Sequence, residues 1–83
     1  MPMRILDEKE NYLLLTDGAH YAVVEQRAGK YYGLYNGHRC GVAPDDAGVA
    51  KILNEEGMSS EPQARHLLTE VATQWRDLFE CVR

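Results

Sequence analysis

Three dipeptides ending in glycine divide the first half of the chain at nearly regular intervals. They are Asp17-Gly18, Ala28-Gly29 and Asn36-Gly37, and the segments between them are rich in Tyr, Val and Leu. Asp-Gly and Asn-Gly are strong hairpin signals, because a type I′ turn needs positive φ at both central positions. The pattern predicts a four-stranded antiparallel β-meander with strands at residues 11–16, 19–26, 30–35 and 38–43.

The turn between the second and third predicted strands has two possible lengths. A three-residue loop, with Gly29 in the left-handed position of a bulge, spares Ala28 a positive φ, and we predict that loop. A two-residue turn at Ala28-Gly29 is the alternative. It would flip the third and fourth strands relative to the first two and divide the tyrosines between the two faces.

Loop length fixes which side chains share a face of the sheet. The predicted pairs are Thr16 with Ala19, Gln26 with Lys30, and Tyr35 with His38. One face then carries Leu13, Leu15, His20, Ala22, Val24, Tyr32, Leu34 and Arg39. The other carries Tyr12, Leu14, Tyr21, Val23, Glu25, Tyr31, Gly33, Tyr35, His38, Cys40 and Val42. We predict that the aliphatic face is the core, since the tyrosine hydroxyl tolerates water; the reverse assignment is the alternative.

Helical periodicity replaces the strand pattern after Pro44. Residues 45–56 place three aliphatic side chains on one stripe, with two aspartates near the positive N-terminus and Gly57 as a stop. A second helix begins after Ser60, which forms a capping box with Gln63. Its apolar arc contains Ala64, Leu67, Leu68, Val71, Ala72, Trp75, Leu78, Phe79 and Val82.

These elements predict one α+β domain over residues 1–83, in which the four-stranded meander is followed by two α-helices packed on one face of the sheet. The formal charge of −4 disfavours binding to nucleic acid or to an anionic membrane. Residues 1–10 lack the apolar core of a signal peptide, and no stretch is apolar enough to span a membrane. We expect a cytoplasmic protein in which Cys40 and Cys81 are free thiols.

The sheet face that the helices leave uncovered is the predicted site of function. It would expose more apolar and aromatic area than the few hundred Å² that monomers tolerate, and tyrosine is enriched in interfaces. We therefore predict a non-enzymatic protein-interaction or regulatory module that binds a protein partner or a second copy of itself as a homodimer. Alternatively, the tyrosines only form cross-strand pairs that stabilise the sheet. The predicted contact residues are Tyr12, Tyr21, Tyr31, Tyr35 and His38.

A small thiol or metal-binding protein that uses His38 and Cys40 is the alternative function. The two residues share a strand face, but zinc needs about four ligands and the sequence supplies no third group on that face. A nucleophilic cysteine also needs a base and an orienting group. Asp45 and Asp46 are the ordinary choice at a helix start. The sequence predicts no catalytic residue, no metal, no cofactor and no small-molecule substrate.

Overall fold

The computed structural model describes residues 3–35 and 41–75. Within these residues, four strands form one antiparallel sheet in the order β1-β2-β3-β4. The strands are β1 (Arg4–Lys9), β2 (Tyr12–Thr16), β3 (Tyr21–Arg27) and β4 (Lys30–Gly33). Helices α1 (Asp46–Glu56) and α2 (Glu61–Glu70) follow, and a π-helical turn, Val71–Trp75, continues α2. The predicted α+β fold, with a four-stranded antiparallel sheet followed by two helices, is confirmed.

Strand β1 was not predicted from the sequence. It pairs with β2 along an edge of the sheet, and a bulge interrupts the pairing between Ile5 and Asp7. Most of its side chains are charged, and all of them are exposed or half-buried. Charges and bulges are common on edge strands, where they discourage pairing with another chain.

The predicted fourth strand, residues 38–43, falls partly outside the described residues. Its described end forms a β-bridge in which Tyr31 and Val42 exchange two backbone hydrogen bonds of 3.0 and 2.9 Å. This pair has the register predicted for a two-residue turn at Asn36-Gly37. The described end of the predicted strand therefore has the predicted register.

The turn between β3 and β4 has two residues, so the predicted three-residue loop is wrong and the alternative is correct. Arg27 pairs with Lys30, and the central residues Ala28 and Gly29 have φ of 55° and 75°. A left-handed Ala costs about 1 to 2 kcal/mol. The resulting register places Tyr31 against the core, and we infer that this packing offsets the strain.

The loop between β2 and β3 is two residues longer than predicted, since Thr16 pairs with Tyr21 instead of Ala19. The Thr16 hydroxyl donates to His20 O at 2.7 Å and accepts from Gly18 N at 2.9 Å. These hydrogen bonds close the loop without a tight turn. Because the change is an even number of residues, the predicted shared face of Leu13, Leu15, Ala22 and Val24 is retained.

The two helices lie on opposite faces of the sheet, which corrects the prediction that they share one. We name each face after its helix. The α1 face contains Leu13, Leu15, Ala22, Val24 and Tyr31, buried with Val42, Val49, Ile52 and Leu53. The α2 face contains Tyr12, Leu14 and Val23, buried with Met58, Ala64, Leu68 and Val71. Side chains of β2 and β3 are apolar on both faces, so one helix could not have buried them all.

The connection between the helices runs around the end of the sheet. Met58 and Tyr21 exchange backbone hydrogen bonds of 2.8 and 2.6 Å, next to the point where the pairing of β4 with β3 ends. Ser60 then caps α2 by accepting from Gln63 N at 3.2 Å, as predicted. Neither described helix has the combined length and apolarity of a membrane span.

Candidate functional site

The predicted tyrosine-rich contact face is divided between the two faces of the sheet. Tyr12 belongs to the α2 face and Tyr31 to the α1 face, and each is only 6% exposed. Tyr21 is half-buried at the margin of the α2 face. Tyr35, just beyond β4, is 46% exposed, and His38 lies outside the described residues. The structure therefore does not bring the predicted contact residues together on one open face.

Tyr35 is the most exposed of the predicted contact residues that the structure describes. Its backbone N–H donates to Glu56 Oε1 at 3.0 Å. Glu56 ends helix α1 and is 3% exposed, which is unusual for a glutamate. The hydrogen bond therefore links an exposed aromatic residue to a buried carboxylate on the neighbouring helix.

Gly33 makes room for this carboxylate. A β-carbon at Gly33 would overlap the Glu56 carboxyl group, so the helix end and the strand backbone are in direct contact. Sequence reasoning missed the burial of Glu56, because a glutamate at a helix end is ordinarily solvated. The available signal was Gly33 itself, since glycine inside a strand often marks the close approach of another group.

A cleft of about 470 Å³ opens between the β2–β3 loop and the C-terminal part of α1. Asp17 Oδ1 accepts from the backbone N–H groups of Ala19 and His20, both at 2.9 Å. The hydrogen bonds from His20 and from Ala19 lower the pKa of the Asp17 carboxyl, which is therefore ionised at neutral pH. The cleft is lined by Asp17, His20, Ala50, Leu53, Asn54 and Gly57.

The exposed side of α2 carries ion pairs along the helix and to the sheet edge. Arg65 contacts Glu61 at 2.8 Å and Asp7 of β1 at 3.5 Å. The hydrogen bond with Glu61 raises the pKa of Arg65. His66 lies 3.3 Å from Glu70 and is exposed on the polar side of this helix. These groups are solvated, and such pairs contribute little to stability.

The predicted thiol or metal pair, His38 and Cys40, lies outside the described residues, as does Cys81. In the described part of the chain, no group of three or more His, Cys, Asp and Glu side chains is placed to hold a metal ion. Asp45 accepts from Gly48 N at 2.8 Å and caps α1, which is the role expected for an aspartate at this position. Comparison with protein-family models, curated proteins and solved structures found no match.

Proposed function

We propose that the protein is a non-enzymatic interaction module of the cytoplasm that binds a second copy of itself through the surface around Tyr35. The exposure of Tyr35 beside the buried Glu56 carboxylate carries this proposal. Tyrosine is among the residues most enriched at the energetic centres of interfaces, because its ring contributes apolar area and its hydroxyl a hydrogen bond.

The hydrogen bond from Tyr35 N to Glu56 lowers the cost of forming such an interface. Binding orders flexible side chains and loops, and each mobile side chain costs about 0.5 to 1.5 kcal/mol. Residue 35 is attached through its main chain to the last residue of α1, so less backbone freedom remains to be lost. Tyr35 is in this respect prepared for contact.

Ile5 provides a matched control for the test. It is 51% exposed, and Ile5 and Tyr35 are the large hydrophobic residues most exposed among the described ones. Ile5 lies on the charged, bulged edge strand β1, where self-pairing is disfavoured. Ile5→Ala therefore removes a similar exposed apolar side chain from a surface that the proposal does not use.

Sedimentation equilibrium over a wide concentration range gives the association constant of each form. We expect the parent protein to form dimers, Tyr35→Ala to weaken dimerisation at least tenfold, and Ile5→Ala to leave it unchanged. The association constant of Tyr35→Phe should lie between those of the parent protein and Tyr35→Ala, since phenylalanine keeps the ring and loses the hydroxyl. A parent protein that is monomeric at every concentration, or equal effects of Tyr35→Ala and Ile5→Ala, would contradict the proposal.

A further inference from the structure

We infer that the cleft between the β2–β3 loop and helix α1 binds a single cationic group, an alkylammonium or a guanidinium. The inference is independent of the role of Tyr35, since it uses other residues. It rests on the cavity, on the carboxylate held at its wall, and on the helix end that closes it.

Two opposite walls of the cleft contribute negative charge. On one wall is Asp17, whose orientation is fixed by two backbone hydrogen bonds of 2.9 Å. On the other wall is the C-terminal part of α1, where a helix carries about half a negative charge. The last turn of α1 contains no basic residue that would offset this charge. Lys51, the lysine of α1, precedes this turn.

The walls also offer hydrogen-bond acceptors suited to an N–H donor ligand. Asn54 contributes an amide oxygen that can accept a hydrogen bond, and His20 lies beside it in the lining of the cleft. The apolar side chains of Ala50 and Leu53 can cover the methylene groups that carry an ammonium or a guanidinium. The volume of about 470 Å³ is within the range of small-ligand sites, about 300 to 1,000 Å³.

The test is a titration of the full chain with N-acetylarginine amide, followed by two-dimensional amide NMR. We expect saturable shifts at His20, Asn54 and Gly57, with a millimolar dissociation constant that rises with salt. N-acetylcitrulline amide has a similar shape without the charge and should give no saturable shift. Equal responses to the two compounds, or no saturation with the arginine compound, would overturn the inference.

Two variants test the site independently, one by changing its charge and the other by changing its volume. Asp17→Asn keeps the oxygen that accepts the loop hydrogen bonds and removes the charge; we expect binding about fivefold to tenfold weaker. Ala50→Leu fills the cleft from an exposed helix position and suits a helix, so it should abolish binding while the fold persists. Glu8→Gln removes an equal charge from exposed β1 and should change nothing.

A second titration identifies the source of the cation. Putrescine represents a free amine, whereas N-acetylarginine amide and N-acetyllysine amide represent side chains of a protein partner. Tighter binding of the amino-acid amides assigns the site to a basic protein segment, and tighter binding of putrescine assigns it to a free amine. Unchanged binding in both Asp17→Asn and Ala50→Leu would show that the cation binds elsewhere and would overturn the inference, whatever the dimerisation result for Tyr35→Ala.

Discussion

The two faces of the sheet are both buried, but they differ in what they connect to. On the α2 face, the buried cluster consists of hydrophobic side chains from the sheet, from the link between the helices and from α2 with its π-helical turn. On the α1 face, the apolar cluster borders the buried Glu56 carboxylate, which reaches the backbone of Tyr35. The cleft beside Asp17 is also formed by α1. The comparison indicates that the α2 face serves stability, whereas α1 combines stability with both candidate contact sites.

The largest expected loss of stability tests whether substitutions on the two faces of the sheet act independently. Leu68→Ala on the α2 face should lower the free energy of unfolding by about 2 to 5 kcal/mol, and Ile52→Val on the α1 face by about 0.5 to 1.5 kcal/mol. Both side chains are fully buried, and the sheet lies between them. The two losses, measured by urea denaturation, should therefore add within about 0.5 kcal/mol in the double variant.

A pair from a single face serves as the positive control for this cycle. Leu68 and Val23 belong to the same buried cluster, so Leu68→Ala and Val23→Ala should deviate from additivity. If Leu68 and Ile52 were instead coupled as strongly as Leu68 and Val23, the assignment of the helices to opposite faces would be contradicted.

The second largest effect concerns the buried Glu56 carboxylate on the α1 face. Gly33→Ala places a methyl group where the Glu56 carboxyl group lies and should destabilise the protein by about 1 to 3 kcal/mol. In a Glu56→Ala background the same change meets no carboxylate, so it should be neutral or stabilising, because alanine restricts the unfolded chain more than glycine. Thermal unfolding of the four proteins measures this cycle; equal costs in both backgrounds would contradict the contact.

The smallest effect compares the starts of the two helices. Asp45 caps α1 and Ser60 caps α2, each by accepting one backbone hydrogen bond. Asp45→Ala and Ser60→Ala should each cost about 1 kcal/mol, and Asp45→Asn and Ser60→Thr should retain most of the stability. Urea midpoints compare the variants. A cost above about 2 kcal/mol at either cap would show that this helix depends on its cap more than on its packing.

Local sequence rules predicted the elements whose signals are themselves local. The cap at Ser60, the buried stripe of Val49, Ile52 and Leu53, and the shared face of Leu13 and Leu15 are all found in the structure. Strand β1 was missed because charges on both of its faces hide the alternation that marks a strand. Its position at the sheet edge explains that composition.

The remaining differences arise from tertiary packing. The rule that disfavours positive φ at Ala28 predicted the wrong turn, because burial of Tyr31 under α1 depends on contacts distant in sequence. The same register change divided the tyrosines, so the candidate contact site contracted from five residues to Tyr35, with His38 outside the described residues. The burial of Glu56 also depends on such a distant contact, its approach to Gly33.

The hydrogen bonds between Met58 and Tyr21 have a consequence for how the molecule opens. Met58 belongs to the short link between the helices and also extends the sheet beside β3. Release of α2 with this link would expose the backbone groups of Tyr21 as well as the apolar α2 face. Detachment of the helix and fraying of this corner of the sheet should therefore occur as one cooperative event, which protects the backbone amides of both residues from hydrogen exchange to a similar degree.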